Sequence, residues 1–228
     1  MRRSKRYQAN KNLVEKSKLY AIDEAVKILQ AAGKAKFDES VEMHCRLNVK
    51  PEKTEQQVRG NVDLPHGSGK TAKVAVFSDS SDDLEAARKA GAEIIGGESL
   101  IEEIRNKRKL GFGVAVATPE IMPKLAKIAK ILGPKGLMPS PKTETVTKNV
   151  KKTVEDLKKG KITFKSDNGG NIHVIIGKVS FKQEQLIENY QEMLKSLKKS
   201  KPASVKGALV NSITLSTTMG PGIKLRIS

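Results

Sequence analysis

The sequence predicts two domains of different class, α/β and α+β, one inserted into the other. Both chain ends, residues 1–66 and 160–228, form a discontinuous α+β sandwich domain, and residues 67–159 form an inserted Rossmann-like α/β domain. Three observations predict this. In the flanks, apolar and polar residues alternate with the two-residue period of strands that bury one face. In the middle, short wholly apolar strands alternate with helical patterns, the rhythm of a small parallel sheet covered on both faces. The charge also divides. Of 43 Lys+Arg and 25 Asp+Glu residues, the middle holds 18 and 12, so the flanks carry +12 of the net +18.

Along the chain, "DEAVKILQAAG" is an amphipathic helix with Asp23 at its N-cap. In "SVEMHCRLNV" (Ser40–Val49), Val41, Met43, Cys45, Leu47 and Val49 share one strand face, and Glu42, His44, Arg46 and Asn48 the other. The next stretch, "PHGSGKTAKVAVF" (Pro65–Phe77), holds the tail of a nucleotide-binding P-loop. The motif needs Gly at position 64, where Leu64 stands, and it needs a strand before the glycines and a helix after them. Here the strand "KVAVF" follows, so Gly67–Thr71 reads as a connection into the inserted domain.

Within that domain, "DDLEAARKAG" is a helix ended by Gly91, and "EII" a strand before Gly96 and Gly97. "SLIEEIRNKR" opens with a Ser99/Glu102 capping-box spacing, and "VAVAT" is a buried strand. "PEIMPKLAKIAKILG" is a helix with Pro119 in its first turn, and "NVKKTVEDLKKG" a helix ended by Gly160. The loop Ile131–Val146, with three prolines, two glycines and two lysines, is either a rigid surface loop or a basic contact. Beyond it, "KITFKSDNGGNIHVIIGK" (Lys161–Lys178) reads as a hairpin turning at Asn168-Gly169-Gly170. Gln183–Lys199 is a helix with a Ser180/Gln183 capping box and Ile187, Tyr190, Leu194 and Leu197 on its apolar face. "SITLSTTMGPGIKLRIS" is a hairpin turning at Met219–Gly222. Ile213, Leu215, Ile223, Leu225 and Ile227 point inward, and Thr214, Ser216, Thr218, Lys224 and Arg226 outward.

Several function classes fall away. No apolar run approaches the roughly 18 residues of a membrane span, and the basic N-terminus lacks the apolar core of a secretory signal. One cysteine, Cys45, excludes an internal disulfide and suits a reducing cytoplasm. His44, His66 and His173 are scattered without metal-ligand spacing, so no metal and no cofactor is expected. No catalytic grouping is visible, and "VFSDSSDD" places acid, not a glycine fingerprint, where a dinucleotide would need its pyrophosphate loop. The basic excess points instead to a polyanion, although 4% aromatics and no Trp disfavour a base-stacking platform. The best candidate surface is the polar sheet face, where Ser, Thr and His stand among Lys and Arg. Short hydroxyls can read 2′-OH groups and phosphate oxygens.

Four blocks then resemble a known family. "AKFDESVEMHCRLNVKPEKTEQQVRGNVDLPHGSGK", "ILGPKGLMPSPK", "GNIHVIIGKVSF" and "STTMGPG" are similar, in order, to the bacterial ribosomal protein L1 family of the large-subunit mobile stalk. The resemblance implies a monomeric RNA-binding protein with the same split domains. Its partners would be stalk ribosomal RNA, deacylated tRNA leaving the exit site, and its own operon messenger RNA, whose translation it represses. It implies RNA contacts at Lys36, Phe37, Ser40, Glu42, His44 and Arg46, near Lys165 and Asp167, and at Thr218, Met219 and Gly220, beside Ser216 of the polar face. Gly67, Gly69 and Gly160 would be the hinge. Two departures stand out: "KSDN" (Lys165–Asn168) replaces the frequent Arg-Asn-Asp-Lys, and Ser140 replaces the usual Asn. A nucleotide-dependent enzyme using Gly67–Thr71 and an indiscriminate coater of nucleic acid are the competing readings.

Overall fold

The computed structural model describes residues 4–15, 17–32, 35–50, 52, 54–70, 73–107 and 110–227. The N-terminal segment forms α1 (Lys5–Asn12), α2 (Ile22–Ala31), β1 (Ser40–Leu47) and β2 (Arg59–Asp63). The middle forms β3 (Val74–Phe77), α3 (Ser81–Lys89), β4 (Ile94–Gly96), α4 (Glu98–Lys107), β5 (Val114–Ala117), α5 (Met122–Leu125), α6 (Ala129–Leu132) and α7 (Val150–Lys159). The C-terminal segment forms β6 (Lys161–Lys165), β7 (Asn171–Lys178), α8 (Gln183–Lys199), β8 (Val210–Thr217) and β9 (Ile223–Leu225). The chain divides into two compact units, Met1–Gly69 with Ile162–Ser228, and Lys70–Lys161.

The first unit is built on an antiparallel sheet in the order β7-β1-β8-β9. Its inner face (Val41, Met43, Cys45, Ile172, Val174, Ile213 and Leu215) packs into one core with Val26 and Leu29 of α2 and Leu186, Met193 and Leu197 of α8. Burying one face and wetting the other is what the two-residue alternation encodes. Ile227 is the exception: β9 ends at Leu225, and Ile227 is 40% exposed.

The second unit is a parallel sheet in the order β4-β3-β5. All four residues of β3 are buried because its two faces feed separate cores. Ala75 and Phe77 join Ile101, Ile104, Ile121, Leu125, Ile128 and Leu132 on one side, and Val74 and Val76 join Val150, Val154 and Leu157 on the other. This is the physical reason for wholly apolar strands. The segment Pro119–Leu132 is not one regular helix. It alternates 3₁₀ turns, at Pro119–Ile121 and Ala126–Ile128, with α5 and α6. Pro123 lacks the N–H that a regular helix would donate to the Pro119 carbonyl.

Other local expectations fail where distant partners decide. Lys161–Lys178 is not a hairpin, because β6 pairs with β2 while β7 pairs with β1. Helix α2 takes Ala21 as its N-cap, and Asp23 sits in the first turn, where its charge suits the helix dipole. Ser99 lies inside α4. The N-cap of α8 is Lys182, whose N–H donates to Gln185 Oε1 at 3.0 Å, while Ser180 bonds the carboxylate of Asp38. After Gly69 the next element is strand β3, so no helix N-terminus follows the glycines to hold a phosphate. Thr71, the last residue of that P-loop reading, lies outside the described residues.

Candidate nucleic-acid interface

The outer face of the four-stranded sheet presents its side chains in rows fixed by register. Ile175, Glu42 and Ser216 form one row; His173, His44, Thr214 and Lys224 the next; Asn171, Arg46 and Ser212 a third. β1 is central, so its outward residues meet partners on both sides. His44 Nδ1 lies 2.8 Å from His173 Nδ1, and His44 Nε2 lies 2.9 Å from Ser216 Oγ, with Glu42 Oε2 3.8 Å away. Partial burial lowers the His44 pKa and His173 lowers it further, while Glu42 partly offsets them. Two of the three histidines expected to be scattered therefore meet. The sequence held the signal, since each lies on an outward position of its strand. Among the described residues no group of three His, Cys, Asp or Glu could hold a metal ion.

One end of this face is a knot of backbone and side chain. Ser40 N–H donates to Thr218 Oγ1 at 3.0 Å, and Thr218 N–H donates to Ser40 O at 3.1 Å. Lys178 Nζ donates to Ser40 Oγ and to Asp38 O, each at 3.2 Å. Phe37 and Met219 stand out into solvent, 55% and 52% exposed, and Lys36 is exposed beside Phe37. A side chain at Gly220 would collide with Thr217 Oγ1, so the turn needs glycine there for its own packing.

Asp167 caps the turn into β7, accepting Gly169 N–H at 2.9 Å and Asn171 N–H at 2.7 Å. Its Oδ2 lies 3.5 Å from His173 Nε2, which ties this turn to the ladder. The Asn171 backbone bond does most to lower its pKa, working against slight desolvation. Lys165 is exposed on β6, in the other sheet. Ser166, within the departing "KSDN" stretch, is buried with its Oγ accepting Val58 N–H at 3.2 Å, so that hydroxyl is spent inside the protein. In the loop after α6, Ser140 N–H donates to Thr145 Oγ1 at 2.8 Å and Glu144 adopts a left-handed backbone, φ 53°.

The sheet thus displays hydroxyls, imidazoles and cations with two apolar side chains at its rim. A family model, the ribosomal protein L1p/L10e family, matches residues 28–221. The chain is 51% identical over 225 residues to "Large ribosomal subunit protein uL1" of Mesoplasma florum, covering 99% of this chain and 98% of that one.

The chain belongs to the ribosomal protein L1p/L10e family.

Proteins of the same printed name from Mycoplasma capricolum and Kosmotoga olearia are 49% and 46% identical over 97% and 98% of this chain, and over 97% and 96% of their own lengths. Ribosomal proteins of this family are structural parts of the ribosome and not enzymes, and the bacterial ribosome is cytoplasmic.

Two residues of this L1p/L10e member escape the sequence reading. Glu39 is buried, 5% exposed, and gathers donors from three places. Its Oε1 accepts Ala35 N–H and Arg6 Nη1, each at 3.1 Å; its Oε2 accepts Met219 N–H at 3.0 Å. Burial pushes its pKa up, but hydrogen bonds from Thr217, Met219, Arg6 and Ala35 outweigh that and lower it. Parity held the signal: Glu39 extends the inward register of Val41 and Met43. Asn189, wholly buried in α8, is the second. Its Nδ2 donates to Gly67 O at 2.9 Å and Ile176 O at 2.7 Å, and its Oδ1 accepts His66 N–H at 3.1 Å. Only a polar residue in the phase of Tyr190 and Met193 marks it in the sequence.

Proposed function

We propose that the chain is a structural constituent of the large ribosomal subunit that binds the ribosomal RNA of the mobile stalk through the outer face of the β7-β1-β8-β9 sheet. From there it assists release of deacylated tRNA from the exit site. It also binds a similar structure in its own operon messenger RNA and represses its translation. It is a monomer when free. The single observation that carries the RNA reading is the ladder running from Arg46 and His44 to Ser40, Thr218 and Met219. It offers donors, acceptors and cations in fixed geometry, which suits phosphates and 2′-OH groups. The +12 balance of the terminal segments adds long-range attraction.

Gly67, Gly69 and Gly160 are the proposed hinge, all at positive φ of 65°, 70° and 123°. Asn189 grips the Gly67 carbonyl, which favours Gly69 and Gly160 as the pivots.

The test is a titration of the full chain with the stalk fragment of large-subunit RNA and with an unrelated folded RNA, at matched salt. The proposal expects a preference of at least about a hundredfold, because electrostatics alone does not distinguish sequences. Equal affinities would make the chain an indiscriminate coater.

A further inference from the structure

We infer that Glu39 is a positioning residue for RNA: its buried carboxylate holds the Phe37 loop and the Met219 turn at one fixed spacing, and RNA reads that spacing. This rests on the sheet face being the RNA site. Glu39 lies two residues after Phe37, and its other side receives the Met219 amide at 3.0 Å. Phe37 and Met219 are thus exposed apolar groups on segments far apart in sequence, joined through one carboxylate. The joint is over-determined. Oε1 takes Ala35 N–H from the loop and the Arg6 guanidinium from α1, both at 3.1 Å. Oε2 takes Met219 N–H, and the Thr217 hydroxyl bonds the same carboxylate. Gly220 packs against that hydroxyl, so the turn is set from both sides. Glu39 is itself buried, so its influence passes through the two segments it ties. Rigid placement of contact groups lowers the ordering cost of binding.

A carboxylate is required because every neighbour donates. In Glu39→Gln the side chain keeps its shape, but its NH₂ group must face either Arg6 and Ala35 or the Met219 amide, and one arm is lost. The experiment compares the full-length wild type, Glu39→Gln, Met219→Ala and the double variant. Each is titrated with the stalk fragment of large-subunit RNA, with melting curves to confirm folding and amide exchange at Ala35 and Met219 in the free protein.

We expect Glu39→Gln to bind about tenfold more weakly, the equivalent of one lost hydrogen bond to a charged group, and to exchange faster whichever of the Ala35 and Met219 amides its NH₂ group faces. Because Glu39 acts in part through Met219, the loss in the double variant should fall short of the product of the two single losses; independent effects would multiply. Should Glu39→Gln not fold, Thr217→Val removes a donor to the same carboxylate and should weaken binding about three- to tenfold. Wild-type affinity in Glu39→Gln, or losses that multiply, would overturn the inference while the wild type still prefers the stalk fragment. A wild type without that preference removes the functional reading, and the inference with it.

Discussion

The imidazoles of His44 and His173 meet Nδ1 to Nδ1 at 2.8 Å across β1 and β7. One ring must donate and the other accept, so the pair has room for one proton at that contact and repels a second. Glu42 and Asp167 approach the two Nε2 atoms, at 3.8 and 3.5 Å, and Lys224 lies in the same row. Burial first, and His173 second, hold the His44 pKa below its ordinary 6.5. The native state therefore binds fewer protons than the unfolded chain just below that value. The stability is fully present above pH 6.5 and falls as pH drops toward the folded pKa. The wild-type melting temperature should decline from about pH 7.5 to about pH 5.5, and His44→Gln should decline less. Parallel curves would show that the pair does not couple to folding.

Asp167 has two readings that one pair of variants separates. As the cap of the 167–171 turn it needs an acceptor oxygen, which Asn retains and Ala lacks. If its service to RNA is to shape the turn, Asp167→Asn should keep near-wild-type affinity and Asp167→Ala should lose about three- to tenfold. A direct contact through the negative charge would make both variants equally weak. Its lowered pKa adds stability above the ordinary carboxylate value of 3.8, lost as pH falls through the folded value, and both variants should lose that acid-side slope.

How much of this was legible follows from the range of the forces involved. The inward set of Val41, Met43 and Cys45, and the span of α8, could be read from local period alone. The partners of β6 could not, because the turn at Asp167–Gly170 is locally fit for a hairpin and only packing sends β6 to β2. Caps failed for a similar reason: Ser180 had a better partner in Asp38, distant in sequence. At the candidate site, outward parity found Glu42, His44, Arg46 and Ser216. It missed what the inward carboxylate of Glu39 does, since a charged residue at an inward position has meaning only once its donors are known.

Asn189 tests whether a buried amide governs the exit from the first unit. It satisfies two carbonyls and one N–H at His66, Gly67 and Ile176. Asn189→Ala would leave all three without this partner, at a cost of about 2–4 kcal/mol in unfolding free energy. Denaturant melts of the full chain measure this. A loss under about 0.5 kcal/mol, the scale of an ordinary surface change, would mean that water replaces the amide.

Thr218 carries the sharpest test of the interface. Its hydroxyl oxygen accepts Ser40 N–H at 3.0 Å, but the hydroxyl lies 3.4 Å from Ser40 O, too long for a good O–H···O bond. The acceptor is engaged within the protein, and the proton remains available to a 2′-OH or phosphate oxygen. Thr218→Val removes both functions at constant volume. The orphaned Ser40 N–H, at the rim of the sheet, should cost about 1 kcal/mol of stability. The unmade contact to RNA should cost about ten- to a hundredfold in affinity. Thr218→Ser restores the hydroxyl and should recover most of each loss. The salt dependence of binding should hardly change in either variant, because no phosphate-neutralising charge is removed, whereas Arg46→Gln should flatten it. RNA titrations at two salt concentrations, beside melting curves, read stability, affinity and salt dependence together. Thr218→Val that melts earlier but binds RNA like the wild type would confine this hydroxyl to holding Ser40 and remove it from the interface.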